Sequence, residues 1–180
     1  QEAVISEYYN DSDFNKEWTE ILITKDYTSL NHYKLRDNSE RYNDGGFWQG
    51  GVEFNDNPLW KNLRIGTIIV INHRGTAAPD IDPSDGYIEV DAENSTYFNK
   101  YNWNGIASLS IQQYGDIIQL LNPFEVNVHS LAHVQYSSQG DFYKIVGKKI
   151  GYVGNCSLGY SISVGNATKL SDYNLNTASQ

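Results

Sequence analysis

Along much of the chain, apolar and polar residues alternate with the two-residue period of a half-buried strand, and turn-forming residues cut that alternation into short pieces. Residues 3–9 form a short apolar and aromatic run, ended by Asn10-Asp11-Ser12-Asp13. Residues 17–24, Glu-Trp-Thr-Glu-Ile-Leu-Ile-Thr, predict a strand with one buried face. Residues 27–37 carry Leu30, Tyr33 and Leu35 ahead of a polar stretch, and the glycine pairs Gly45-Gly46 and Gly50-Gly51 place Phe47 and Trp48 on a loop. Residues 63–71 are almost continuously apolar and β-branched, which predicts a core strand buried on both faces. Further strands are expected over 87–90, 107–112, 117–121, 126–136, 142–146, 150–153 and 160–164. No segment holds a helical period over three turns, so the pattern predicts an all-β sandwich.

Size and charge narrow the picture. A chain of 180 residues can bury a self-sufficient core, and residues 1–170 are expected to form one sandwich, with 171–180 as a linker or tail. Thirteen Lys and Arg against 22 Asp and Glu give a formal charge of −9, which argues against a nucleic-acid partner because phosphate binding needs clustered bases. With 14 Tyr, 6 Phe, 4 Trp and no Met, the composition resembles that of exported β-rich proteins. The single cysteine, Cys156, excludes an intramolecular disulfide. No apolar run approaches the roughly 18 residues of a membrane span. The start Gln1-Glu2-Ala3 is that expected of a mature chain after removal of a signal peptide, so a secreted or cell-surface location is expected.

Candidate chemistry concentrates in residues 76–93, which hold Asp80, Asp82, Asp85, Glu89, Asp91 and Glu93 and no Lys or Arg. Hard cations take several oxygen ligands, so Asp80, Asp82, Asp85, Glu89 and Asp91 are the candidate ligands of a structural calcium ion. The stretch departs from the calcium-loop pattern: counted from Asp80 the glycine falls one place late, and the twelfth position is Asp91 where that loop has Glu. The alternative is a solvated acidic loop with Asp-Pro and Asp-Gly turns around a short strand. His129 and His133 are four apart, the spacing of two zinc ligands on a helix. Here Val126, Val128, Ala132 and Val134 mark a strand, along which four residues span about 13 Å, too far to share a metal. Trp48, Trp60 and Trp103 lie in or beside Gly- and Asn-rich stretches and are candidates for stacking on a sugar or anchoring a protein at the cell surface, or else for closing the ends of the core. Trp18, inside a strand, reads as structural. Glu17 and Glu20 fall on opposite faces of their strand. No nucleophile elbow, phosphate-binding loop or paired metal-ligand spacing is found, and no cofactor other than calcium is suggested.

The order of strand motifs resembles the lamin-tail domain family. Val4-Ile5-Ser6-Glu7-Tyr8-Tyr9, then Glu17-Trp18-Thr19-Glu20-Ile21, then residues 30–37 are similar to the opening of its bacterial exported members. Residues 63–71 resemble the family's Leu-x-x-Gly strand, residues 108–121 its Leu-x-x-x-Gly-Asp-x-Ile-x-Leu segment, and residues 126–134 its closing strand. The resemblance covers about residues 3–136 and implies an immunoglobulin-like β-sandwich without catalysis, an accessory module of a secreted or surface protein. Two features depart from it: a long acidic insertion at about 76–102, and Tyr33 where the family often has Trp. No binding residue is therefore carried over. The expectation is a non-catalytic binding or spacer module of a larger bacterial protein. A glycan-binding module and a metal-dependent hydrolase-associated domain using the acidic loop are the alternatives.

Overall fold

The computed structural model describes residues 2–39, 50–75, 78–101, 109–111, 115–134, 150–154 and 160–163. These form two sheets and three short 3-10 turns, with no α-helix among the described residues. The strands are β1 (Ala3–Asn10), β2 (Trp18–Ile23), β3 (Lys34–Ser39), β4 (Gly51–Phe54), β5 (Ile68–Asn72) and β6 (Tyr87–Asp91). They continue with β7 (Phe98–Lys100), β8 (Gly115–Leu121), β9 (Asn127–Val134), β10 (Ile150–Gly154) and β11 (Tyr160–Ser163). The first sheet has the order β11-β1-β2-β5-β6 and the second β10-β9-β8-β3-β4-β7. Most pairs are antiparallel, while β5 with β6 and β9 with β10 run parallel.

Alternation puts one face of each sheet into a shared core. Ile21, Ile23, Ile69, Ile71, Ile88 and Val90 enter it from the first sheet, and Leu35, Val52, Phe54, Ile118, Leu120 and Leu131 from the second. Trp60, which ends the 3-10 turn Pro58–Trp60, is fully buried and meets Phe54 edge-on with ring centroids 4.9 Å apart. Its indole Nε1–H donates to the Tyr97 carbonyl at 2.9 Å. The tryptophan is thus a core lid, and its expected part in ligand binding is corrected: an enclosed ring offers no face to a partner.

Two further expectations change. Residues 63–71 are not one strand buried on both faces: β5 begins at Ile68 with a half-buried, buried alternation, and Leu63 instead bridges Thr28. The break is a turn closed by Thr67 N–H to the Arg64 carbonyl at 3.1 Å, with Gly66 at φ +85°, a conformation in which a side chain is strained. The acidic stretch is likewise more than a loop. Its β6 forms the edge of the first sheet beside β5, and the chain then crosses to supply β7 at the edge of the second. Of the strand expected at 107–112, residues 109–111 are described and are not in a strand, while that expected at 142–146 and the tail at 171–180 lie outside the described residues.

Candidate functional site

One end of the sandwich interior is polar. Glu17 lies opposite Asn10 and His73 in the inward row that closes the first sheet, with Tyr8 and Thr19 in the next row. His73 Nε2 is 2.8 Å from the Thr19 hydroxyl, and its Nδ1 is 3.5 Å from Glu17 Oε2. A hydroxyl, an imidazole and a carboxylate are therefore in sequence, as a proton relay would need. All of them are buried, with Thr19 and His73 at 0% and Glu17 at 1% exposure, so no substrate reaches the hydroxyl. The set ties β2 to the end of β5.

Facing it from the second sheet are Asp37, Asp116 and His133, while His129 lies further along β9 in the row of Leu35 and Leu120; all four are buried. A short connecting segment joins the two sides. Ser110 N–H donates to Asp37 Oδ2 at 2.7 Å, and the next amide, Ile111 N–H, donates to Glu17 Oε2 at 2.9 Å. Consecutive backbone donors thus clasp one carboxylate from each sheet. Asp37 Oδ1 also accepts from Gly50 N–H at 2.9 Å. Buried carboxylates are tolerated where amides satisfy them, and such charge-assisted bonds are the stronger kind.

The two histidines of β9 add cross-sheet bonds to β1. Ile5 N–H donates to His129 Nδ1 at 3.1 Å, and the Tyr8 hydroxyl lies 2.6 Å from His133 Nδ1. The strand spacing expected of them holds: both are on β9, with Leu131 between them on the inward side. Burial lowers the His129 pKa to about 4, because enclosure penalises the imidazolium.

The acidic residues of 80–91 are distributed along the other edge. Asp80 pairs with Glu89 through reciprocal backbone bonds of 2.8 and 2.9 Å. Asp82 caps the 3-10 turn Pro83–Asp85 through Ser84 N–H at 2.9 Å, and Asp85 Oδ1 accepts from Tyr87 N–H at 2.9 Å. The Ser84 hydroxyl and amide hold the Asp82 carboxyl below its ordinary value. Glu89 accepts from Asn72 at 3.0 Å and from the Tyr87 hydroxyl at 2.7 Å. Asp91 is 9% exposed and its carboxyl is raised by burial; its Oδ1 sits where a Cβ on Gly75 would come within 2.8 Å. Among the described residues, no three His, Cys, Asp or Glu side chains converge to hold a metal ion. A surface cleft of about 290 Å³ lies at the opposite end of β5 and β6 from the buried cluster, between Leu59, Arg64, Thr67 and Pro83, and Asp82 is the acid that lines it.

Trp48 and Trp103 lie outside the described residues. Trp18 lies within β2 as expected and faces outward, half-buried, its ring nearly parallel to that of Tyr9 with centroids 6.1 Å apart. Sequence reasoning missed the Thr19, His73 and Glu17 set and the clasp, which join residues 54 and 94 apart, and only the row of inward polar positions at strand ends signals them. Comparison with models of known protein families and with curated proteins finds no match to either.

Proposed function

We propose that the chain is a non-catalytic binding or spacer module of a larger exported bacterial protein, built as an immunoglobulin-like sandwich of the lamin-tail kind. The observation that carries this reading is the use of the reactive side chains. The carboxylates of Glu17 and Asp37 and the imidazoles of His73, His129 and His133 are enclosed between the sheets and bonded across or along them. Groups that would perform chemistry are spent on holding the sandwich together. The two-sheet, all-β architecture agrees with the class that the strand motifs imply, and in it the Gly115-Asp116 motif opens β8, with Asp116 Oδ1 accepting from the Ile117 amide at 2.8 Å. An acidic, Tyr-rich composition with few bases suits an extracellular module.

Hydrolysis assays test the reading against its enzymatic rival. The purified chain, supplied with chromogenic phosphodiester, ester and glycoside substrates and with magnesium, manganese or calcium, is expected to show no turnover above the buffer rate. Metal-dependent turnover that disappears in the D80N/D82N/D85N variant would overturn the proposal in favour of a hydrolytic domain.

A further inference from the structure

The outer face of the first sheet is organised as rows set by strand register. Glu7, Glu20, Val70 and Glu89 stand side by side across β1, β2, β5 and β6. On one side of this acidic row lie Tyr9, Trp18, Asn72 and Asp91, and on the other Val4, Leu22, Ile68 and Tyr87. Apart from the fully buried Val4 and the more buried Asp91, these side chains are partly exposed, and the inward neighbours of each are buried.

The charge on this face is one-sided. The five strands of the sheet contain Glu7, Glu20, Glu89 and Asp91 and no Lys or Arg, whereas the second sheet balances Lys34, Arg36 and Lys100 against Asp37, Glu53 and Asp116. Among the described residues, none of those four outer carboxylates takes part in an ion pair. Glu7 and Glu20 are directly opposite, an arrangement that repels. Desolvation raises the Glu20 carboxyl, with the Ser6 hydroxyl bond at 2.6 Å opposing and Glu7 adding to the rise. Burial, then the bond to Glu89, pushes the Tyr87 hydroxyl up to about 12.

We infer that this face docks a basic protein segment, whose Lys or Arg side chains lie along the Glu7, Glu20 and Glu89 row and against the Tyr9 and Trp18 rings. The inference rests on the binding-module reading and supplies the surface and partner chemistry that it lacks. A single metal ion fits poorly, because Glu20 and Glu89 sit two strand spacings apart, about 10 Å, while a divalent ion holds its oxygens within about 2.6 Å. A row of separated charges matches instead the spaced cations of an extended peptide. The flanking aromatics favour the same ligand: guanidinium and ammonium groups bind ring faces, and Tyr and Trp are frequent anchors of protein interfaces.

Fluorescence anisotropy with a labelled (Arg-Gly)6 peptide and the full chain tests this, with (Glu-Gly)6 and cellohexaose as competitors. Binding is expected for the basic peptide alone, weakened at least tenfold in the E7Q/E20Q/E89Q variant and by 0.5 M salt. The W18L variant, which keeps the charge, should also weaken it severalfold. The charge-matched D13N/D56N/E125Q variant, altered at exposed acids elsewhere, should stay within twofold. Thermal melts establish that each variant is folded. No binding, equal loss in both triple variants, or displacement by cellohexaose would overturn the inference. So would self-association abolished by the E7Q/E20Q/E89Q substitutions, which would give the face to a second copy. These outcomes leave the binding-module proposal standing; only turnover in the hydrolysis assays removes that.

Discussion

His129 makes the fold acid-sensitive in a way that can be isolated. Its ring is enclosed in the core, accepts the Ile5 amide on Nδ1, and burial alone moves its pKa from 6.5 to about 4. Above pH 6.5 the imidazole is neutral in folded and unfolded chains, so the shift has no effect on stability. As pH falls below 6.5 the unfolded chain takes up a proton that the folded chain refuses, and stability drops by about 1.4 kcal/mol per unit until the folded ring also titrates near 4. The loss over that window is about 3 kcal/mol. The H129Q variant keeps an acceptor for the Ile5 amide and cannot titrate. Urea unfolding of both proteins at pH steps from 7.5 to 4 should give curves that converge toward acid, the wild type losing about 3 kcal/mol more than the variant. Taking the difference cancels the titration of the carboxylates. Parallel curves, within about 0.5 kcal/mol at every pH, would refute the enclosure of this ring.

Three shorter predictions concern the carboxylates. E17A leaves the Ile111 amide unsatisfied and should cost about 1–3 kcal/mol in urea unfolding, while E17Q, which preserves an acceptor, should cost less; equal losses would point to packing instead of the clasp. E20Q relieves the repulsion with Glu7 and should raise stability by a few tenths to about 1 kcal/mol at pH 7, and a fall would show that the acidic row is compensated by another part of the chain. Calcium at 10 mM should leave the melting temperature unchanged, since Asp82 and Asp85 are bonded to their own turn; a site with a dissociation constant near 0.1 mM would instead add about 2.7 kcal/mol.

Strands that alternate cleanly were legible in the sequence. β1 and β2 fall within a residue of the expected bounds, and the opposed faces of Glu17 and Glu20 follow from the same period. Residues 63–71 misled because a run of β-branched residues looks alike whether a turn interrupts it or not, and Gly66 alone marks the break. β4 and β7 have four and three residues, too few for a period to register. The buried acids were hidden for another reason. What makes Glu17 and Asp37 tolerable inside the sandwich is a pair of adjacent amides at Ser110 and Ile111, and backbone donors have no residue type to read.

The pairing of β1 with β11 has a consequence for the order of folding. Tyr160 meets Asn10 across 150 residues, so during synthesis the N-terminal strand waits for nearly the whole chain before its outer neighbour exists. At about 5–20 residues per second that interval is roughly 8–30 s. Through it, β1 would present an unpaired edge rich in apolar and aromatic residues to other nascent chains, the geometry that invites strand exchange. Late closure of this kind, with high contact order, makes β11, the last strand among the described residues, the kinetic latch of the first sheet.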